Sequence, residues 1–331
     1  MNSNAHAVLP TPDEQIEVLT PVARGSAAAR AQSRWSSDRR RQAARARPPR
    51  TAFVLSGGAS LAALQAGMLH ALYEKGITAD LFVATSAGAI NAAFVASRPQ
   101  TVATARALGR IWRELKRDDV FPVSPWVLAT GLLGKRDHLI AAAKLRKLLV
   151  RYLEFDDLAD APIPLHIVAC DVNTGADVLL SAGAALEAIT ASAAIPGVYP
   201  PVRIGDRRLM DGGVVNNTPI SHAVALGAER VYVLPTVDRS FAGQGSRRAP
   251  LGAAMDALGV MMGTRLEADI AHFSSQVELI VLPAPNALAV LPTDFSHADR
   301  LMRDALHAAR RQLAAVGEGL TLVESATLDG A

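Results

Sequence analysis

Hydrophobic and polar positions fall into two kinds of run along this chain. Short stretches that are almost wholly apolar, Thr51 to Leu55 (TAFVL) and Leu81 to Ala84 (LFVA), read as strands, because a strand covered on both faces has no polar alternation to show. Each is followed by a run of helical spacing. Leu61, Leu64, Met68, Leu69 and Leu72 mark one face up to Gly76, a helix-ending glycine, and an Ala-rich run free of Pro and charge follows Ser86. Val102 to Leu115 reads as an amphipathic helix with Arg106, Arg110, Arg113 and Lys116 outward, and Asp137 is placed to cap a basic helix reaching Tyr152.

The second half carries more turn signals. Pro164 to Cys170 and Asp177 to Ser181 flank Asn173-Thr174-Gly175, and Val202 to Ile204 and Arg207 to Met210 flank Gly205-Asp206, so two hairpins are expected. A short Ala-rich helix ending at Ile195-Pro196-Gly197 separates them. Val231 to Leu234 and Val277 to Leu282 are further strands around the Gly-punctuated apolar helix LGAAMDALGVMMG, and His297 to Ala315 is a closing helix. Strands alternating with helices predict an α/β fold whose largely parallel sheet is covered on both faces. No internal repeat is present. Asp118 to Gly134 breaks the rhythm: Phe121, Trp126, Leu128 and Leu132 gather with two prolines ahead of Lys135-Arg136, a pattern that fits either a lid or interfacial patch or a helix pair packed on the core.

Charge changes this picture at one end. Residues 1 to 50 hold nine Arg against four acids, net +5, which leaves 25 basic against 27 acidic residues, net −2, in the other 281. The basic character belongs to the leader, so a nucleic-acid-binding body is not implied. Few large aliphatics and the ending Arg47-Pro48-Pro49-Arg50 make 1–50 a disordered segment. It reads either as a solvated tail or as a peripheral contact with anionic membrane, each basic residue near such a surface being worth about 1 kcal/mol. The first twenty residues lack a signal-peptide core, and no uninterrupted apolar run approaches membrane-spanning length, so a cytoplasmic protein is expected. The lone Cys170 excludes an internal disulfide and a CxxC zinc site and, in an apolar strand, reads as a core residue.

The candidate chemistry lies at three glycine-rich points. At A-T-S-A-G, Ala84 to Gly88, a serine sits among small residues where a strand turns into a helix, the nucleophile-elbow pattern that lifts Ser86 out of the sheet; Ala84 stands where the usual pattern has a first glycine, and Gly88 provides the second. Ser56-Gly57-Gly58, between the first strand and its helix, points backbone N–H groups at the space beyond the sheet, where an anion or an oxyanion can be held. A dinucleotide fingerprint fails there, since Ala59 and Ala62 replace two of its three glycines. Asp211-Gly212-Gly213 ends a strand with an acid, and the two glycines are expected to supply backbone angles that turn the carboxylate back over the sheet. No H-E-x-x-H or other metal-ligand spacing occurs among the eight histidines, so neither a metal nor another cofactor is expected.

Taken together, Ser56-Gly57-Gly58, the turn at Ser86, ASAAIPGVYPPV (Ala191 to Val202) and DGGVVNNTPI (Asp211 to Ile220) resemble the bacterial patatin-like phospholipase family in order and spacing, over roughly 51–315, with 316–331 left as a tail. The resemblance implies a three-layer α/β/α acyl hydrolase acting on a lipid or acyl ester through a Ser-Asp dyad. Ser86 would attack, Asp211 would take its proton, and amides at Gly57, Gly58 and Ala59 would hold the oxyanion, with Ala84, Gly88, Gly212 and Gly213 supporting the turns. The chain departs from the family where its glycine loop usually carries a third glycine, a basic residue and a further glycine: here stand Ala59, Leu61 and Ala62. Two alternatives stay open, a histidine base among His222, His272, His297 and His307 oriented by Asp211, and a lipid-binding scaffold with weakened chemistry.

Overall fold

The computed structural model describes residues 48–122, 140, 142–236, 250–285 and 290–317, and those from Pro49 onward belong to one compact unit. Eight strands make one sheet: β1 (Thr51–Leu55), β2 (Leu81–Thr85), β3 (Leu165–Asp171), β4 (Asp177–Leu180), β5 (Val202–Ile204), β6 (Arg207–Asp211), β7 (Arg230–Leu234) and β8 (Glu278–Val281). The order is β5-β6-β3-β2-β1-β7-β8, with β4 also paired to β3. Pairs β1–β2, β1–β7, β2–β3 and β7–β8 are parallel, while β3–β4, β3–β6 and β5–β6 are antiparallel.

Strand periodicity explains the layers. Phe53, Leu55, Phe82, Ala84, Tyr232 and Leu234 share one core with the helices α1 (Ala63–Glu74), α2 (Ala87–Ala96), α3 (Val102–Glu114) and α10 (Ala298–Gly317). The alternate residues Ala52, Val54, Leu81, Val83, Val231 and Val233 face a second core with α8 (Ile220–Ala225) and α9 (Pro250–Phe273). Both faces of β1, β2 and β7 are therefore buried, which is why their sequences are apolar without interruption. Short helices α4 (Arg117–Val120), α5 (Ala143–Tyr152), α6 (Ala185–Ser192) and α7 (Gly213–Asn216) complete the α-helices among the described residues. Among the described residues no helix is long and apolar enough to cross a membrane.

Two expectations are corrected. The basic helix is not continuous over the expected span: Ile140 lies outside a helix, its N–H on Val198 O (2.8 Å), and the helix described runs over Ala143–Tyr152. The apolar helix of the second half is a piece of the much longer α9. Asp137, Trp126, Leu128, Leu132 and the leader 1–47 lie outside the described residues. Arg50 is anchored, its N–H on Glu229 Oε2 (2.9 Å) and its guanidinium on Leu226 O (2.6 Å).

Candidate active site

The pairing of β3 decides where the chemistry meets. Val168 has β2 and β4 on its two sides, and Ala169 has β6 and β4. β2 and β6 therefore share one edge of β3 and approach it from opposite directions. β2 stops at Thr85 beside Val168 and β6 stops at Asp211 beside Ala169, so their two ends abut. Ser86 and Asp211, 125 residues apart in sequence, become neighbours: the Ser86 hydroxyl donates to Asp211 Oδ2 at 2.6 Å.

Ser86 occupies a turn that few residues adopt, with φ 55° and ψ −127°. Such a conformation costs about 1–3 kcal/mol and persists only where its surroundings enforce it. They do so here through Ser192, which accepts the Ser86 N–H at 2.8 Å and donates its hydroxyl to Val168 O at 2.6 Å. Gly88 permits the tight return of α2, since a Cβ there would lie 2.4 Å from Leu55 O. Ala84 is fully buried between Leu55 and Ile167 in the sheet, leaving room for its methyl.

Asp211 is buried, and its other oxygen accepts the Gly213 N–H at 2.7 Å. Burial pushes its carboxyl from an ordinary 3.8 up to about 6, against the lowering effect of the Ser86 and Gly213 hydrogen bonds. The reason expected for the glycine pair is corrected. Gly212 has an unremarkable φ of −65°, and neither glycine has a positive φ. Space is what demands them: a Cβ on Gly212 would lie 2.3 Å from Val168 O, and one on Gly213 3.0 Å from Asp211 Oδ1.

Gly57 packs directly on the serine, for a Cβ on it would lie 2.8 Å from Ser86 Cβ and 2.6 Å from Asn217 Oδ1. Its N–H, expected to face an oxyanion, instead donates to Asn217 O at 3.3 Å. The Gly58 and Ala59 amides donate to no acceptor among the described residues. Gly57 O accepts from Thr236 Oγ1 and from Asn217 Nδ2, so the trans peptide aims the Gly58 N–H away from both. Ala59 sits at φ 51°, the left-handed region a glycine would occupy without strain.

Ser86 and Ala59 line an apolar cavity, partly open to solvent, whose other walls include Phe94, Trp112, Phe121, Leu149 and Phe295. No candidate histidine touches Ser86 or Asp211 among the described residues. His222 is half-buried with Nε2 2.9 Å from Asp177 Oδ2, and His297 lies 3.4 Å from Asp294. Nor do three or more His, Cys, Asp or Glu side chains converge as metal ligands among the described residues. Cys170 is wholly buried, and burial pushes its thiol up.

Sequence reasoning missed Ser192, Asn217 and a buried polar trio, Gln65, Asn91 and Trp112. Gln65 and Asn91 each interrupt an otherwise apolar helical run, a signal that could have flagged them.

The α/β sheet thus brings together a strained serine turn, a buried carboxylate and an apolar cleft. The family model for patatin-like phospholipases matches residues 53–224, just over half of the sequence, and the chain belongs to that family. An uncharacterized NTE family protein of Mycobacterium tuberculosis is 33% identical over 168 residues, covering 50% of this chain and 27% of that protein. Lysophospholipase NTE1 of Mycosarcoma maydis is 25% identical over 181 residues, 55% of this chain and 9% of that one. Patatin-like phospholipase domain-containing protein 7 of Rattus norvegicus is 26% identical over 197 residues, 57% and 14% respectively. The chain thus matches about a quarter or less of the length of each of these relatives.

Proposed function

We propose that this chain hydrolyses acyl esters of lipids with Ser86 as nucleophile and Asp211 as its base. The observation that carries the reading is the 2.6 Å hydrogen bond from the serine hydroxyl to a buried carboxylate, on the wall of an apolar cavity. Asp211, with its carboxyl near 6, is ionised at neutral pH yet basic enough to take a proton in the transition state. Ser86 Oγ attacks the ester carbonyl as its proton passes to Asp211 Oδ2, and the carbonyl oxygen becomes an oxyanion facing the Gly58 and Ala59 amides. Collapse expels the alcohol, which takes the proton back from Asp211. Water then attacks the acyl-serine, giving its proton to Asp211, and the released Ser86 oxygen recovers it as the fatty acid departs.

The cavity suits the acyl chain, and the relatives named for phospholipid and lysophospholipid hydrolysis put those esters first among substrates. The Arg-rich segment 1–50 adds peripheral contact with anionic membrane. Cosedimentation with phosphatidylserine vesicles, lost on raising salt or deleting 1–47, checks that role. The catalytic reading is tested by hydrolysis of p-nitrophenyl esters and lysophospholipids beside Ser86→Ala and Asp211→Asn. Both variants should remain folded and inactive, and full activity in either removes the dyad. A lipid-binding protein without turnover is the competing case; a fluorophosphonate probe, which needs an activated serine, labels the hydrolase and spares the binder.

A further inference from the structure

The glycine loop and the serine turn are separate pieces of chain, and something must hold one against the other. A fully buried relay of three side chains does this. Gln65 Nε2 on α1 donates to Ser56 O at 2.8 Å and to Leu234 O at 3.0 Å, clamping the ends of β1 and β7. Its Oε1 accepts from Asn91 Nδ2 at 2.8 Å, and the same Nδ2 donates to Ala62 O at 2.9 Å. Asn91 belongs to α2, the helix that Ser86 opens, and its Oδ1 accepts the Trp112 indole N–H at 2.9 Å. Every N–H of both amides and the indole is used, and Gln65 and Asn91 are wholly buried. A network satisfied to this degree is rigid, and each missing partner would leave a buried polar atom unpaired.

Its two ends face different parts of the site. The inner end holds the carbonyl of the Ser56–Gly57 peptide, one residue before the Gly58 amide. The outer end, Trp112, lies in the cavity wall with its ring stacked on Phe295, centroids 6.1 Å apart at 13°. Resting on the hydrolase reading above, we propose that Gln65, Asn91 and Trp112 are positioning residues that couple occupancy of the apolar cavity to the placement of the oxyanion amides. A chain filling the cavity fixes the indole, the indole fixes Asn91, and Gln65 passes the constraint to the loop. Binding energy from the unreactive part of the substrate is thereby used in the chemical step, so short acyl groups lose kcat and not KM alone.

The test compares p-nitrophenyl acetate with p-nitrophenyl decanoate for the wild type, Gln65→Met and Trp112→Phe, with circular dichroism to establish folding. Wild type should show a higher kcat on decanoate. Gln65→Met should lower kcat on both esters by roughly 10- to 100-fold with KM little changed. Its pH profile should keep the wild-type inflection, because the dyad is untouched. Trp112→Phe, which keeps an aromatic side chain but loses the indole N–H together with the second ring, should abolish the kcat advantage of decanoate over acetate. Should Gln65→Met fail to fold, Trp112→Phe decides. Folded variants matching an active wild type in kcat on both esters would overturn the relay alone; a wild type inert toward esters and fluorophosphonate would bring down the hydrolase reading and the relay with it.

Discussion

Replacing Asp211 by Asn should stabilise the fold as it ends the chemistry, and only above a certain pH. Burial raises the Asp211 carboxyl from 3.8 to about 6, so the folded protein holds that proton more tightly than the unfolded chain does. With a folded-state value above the unfolded one, the sign follows: the stability that proton binding confers is complete below pH 3.8 and is lost as pH rises through 6. Two pH units correspond to about 3 kcal/mol of destabilisation at neutral pH and above. Asparagine is neutral, nearly isosteric, and can still accept the Gly213 N–H through Oδ1 while donating from Nδ2 to the Ser86 oxygen. The variant should therefore gain roughly 2–3 kcal/mol at pH 8, or about 5 °C in melting temperature for a protein of this size. Urea denaturation of both proteins from pH 4 to 8 reads the gap directly. It should open between pH 4 and 6, then level off. A variant less stable than wild type at pH 8, or a gap as large at pH 4 as at pH 8, would refute the account of a carboxylate kept ionised against its surroundings.

The same titration predicts that kcat/KM for ester hydrolysis falls about tenfold per unit below pH 6 as Asp211 is protonated; a profile flat from pH 8 to 5 would exclude it as the base. Ser86→Gly should be inactive yet more stable by about 1–3 kcal/mol in thermal unfolding, since glycine accepts the φ of 55° without a Cβ. Gly57→Ala should remain folded with activity reduced at least a hundredfold, the new methyl being forced against Ser86 Cβ at 2.8 Å, and steady-state assay beside circular dichroism separates the two effects. Gly88→Ala should lose several kcal/mol of stability, because its methyl would meet the backbone oxygen of Leu55 at 2.4 Å, which the sheet cannot move aside.

Much of this was legible in the residue order because the signals were local. The apolar runs at TAFVL and LFVA mark strands buried on both faces, and the small residues around Ser86 and after Asp211 mark the places where backbone crowds backbone. What escaped was long-range. The Ser86 N–H is held by Ser192, 106 residues on, and the Gly57 N–H by Asn217, so neither an anchored turn nor a lost oxyanion donor could be read from its own neighbourhood. Gly212 looked like a conformational glycine because the residue that excludes a side chain there, Val168, lies on another strand. The break at Ile140 ahead of the basic helix has its N–H on Val198, far along the chain, and so was not readable locally.

Two strands ending nose to nose on one edge of β3 carry a further consequence. The partnership of alcohol and acid is set by the register of a short antiparallel hairpin, β5–β6, against Ala169–Asp171. A slip of one residue would turn the acid to the opposite face of the sheet, leaving the serine hydroxyl without its hydrogen-bond acceptor. The meeting of Ser86 and Asp211 thus hangs on a ladder of three paired positions, Ala169 with Asp211, Cys170 with Met210 and Asp171 with Leu209.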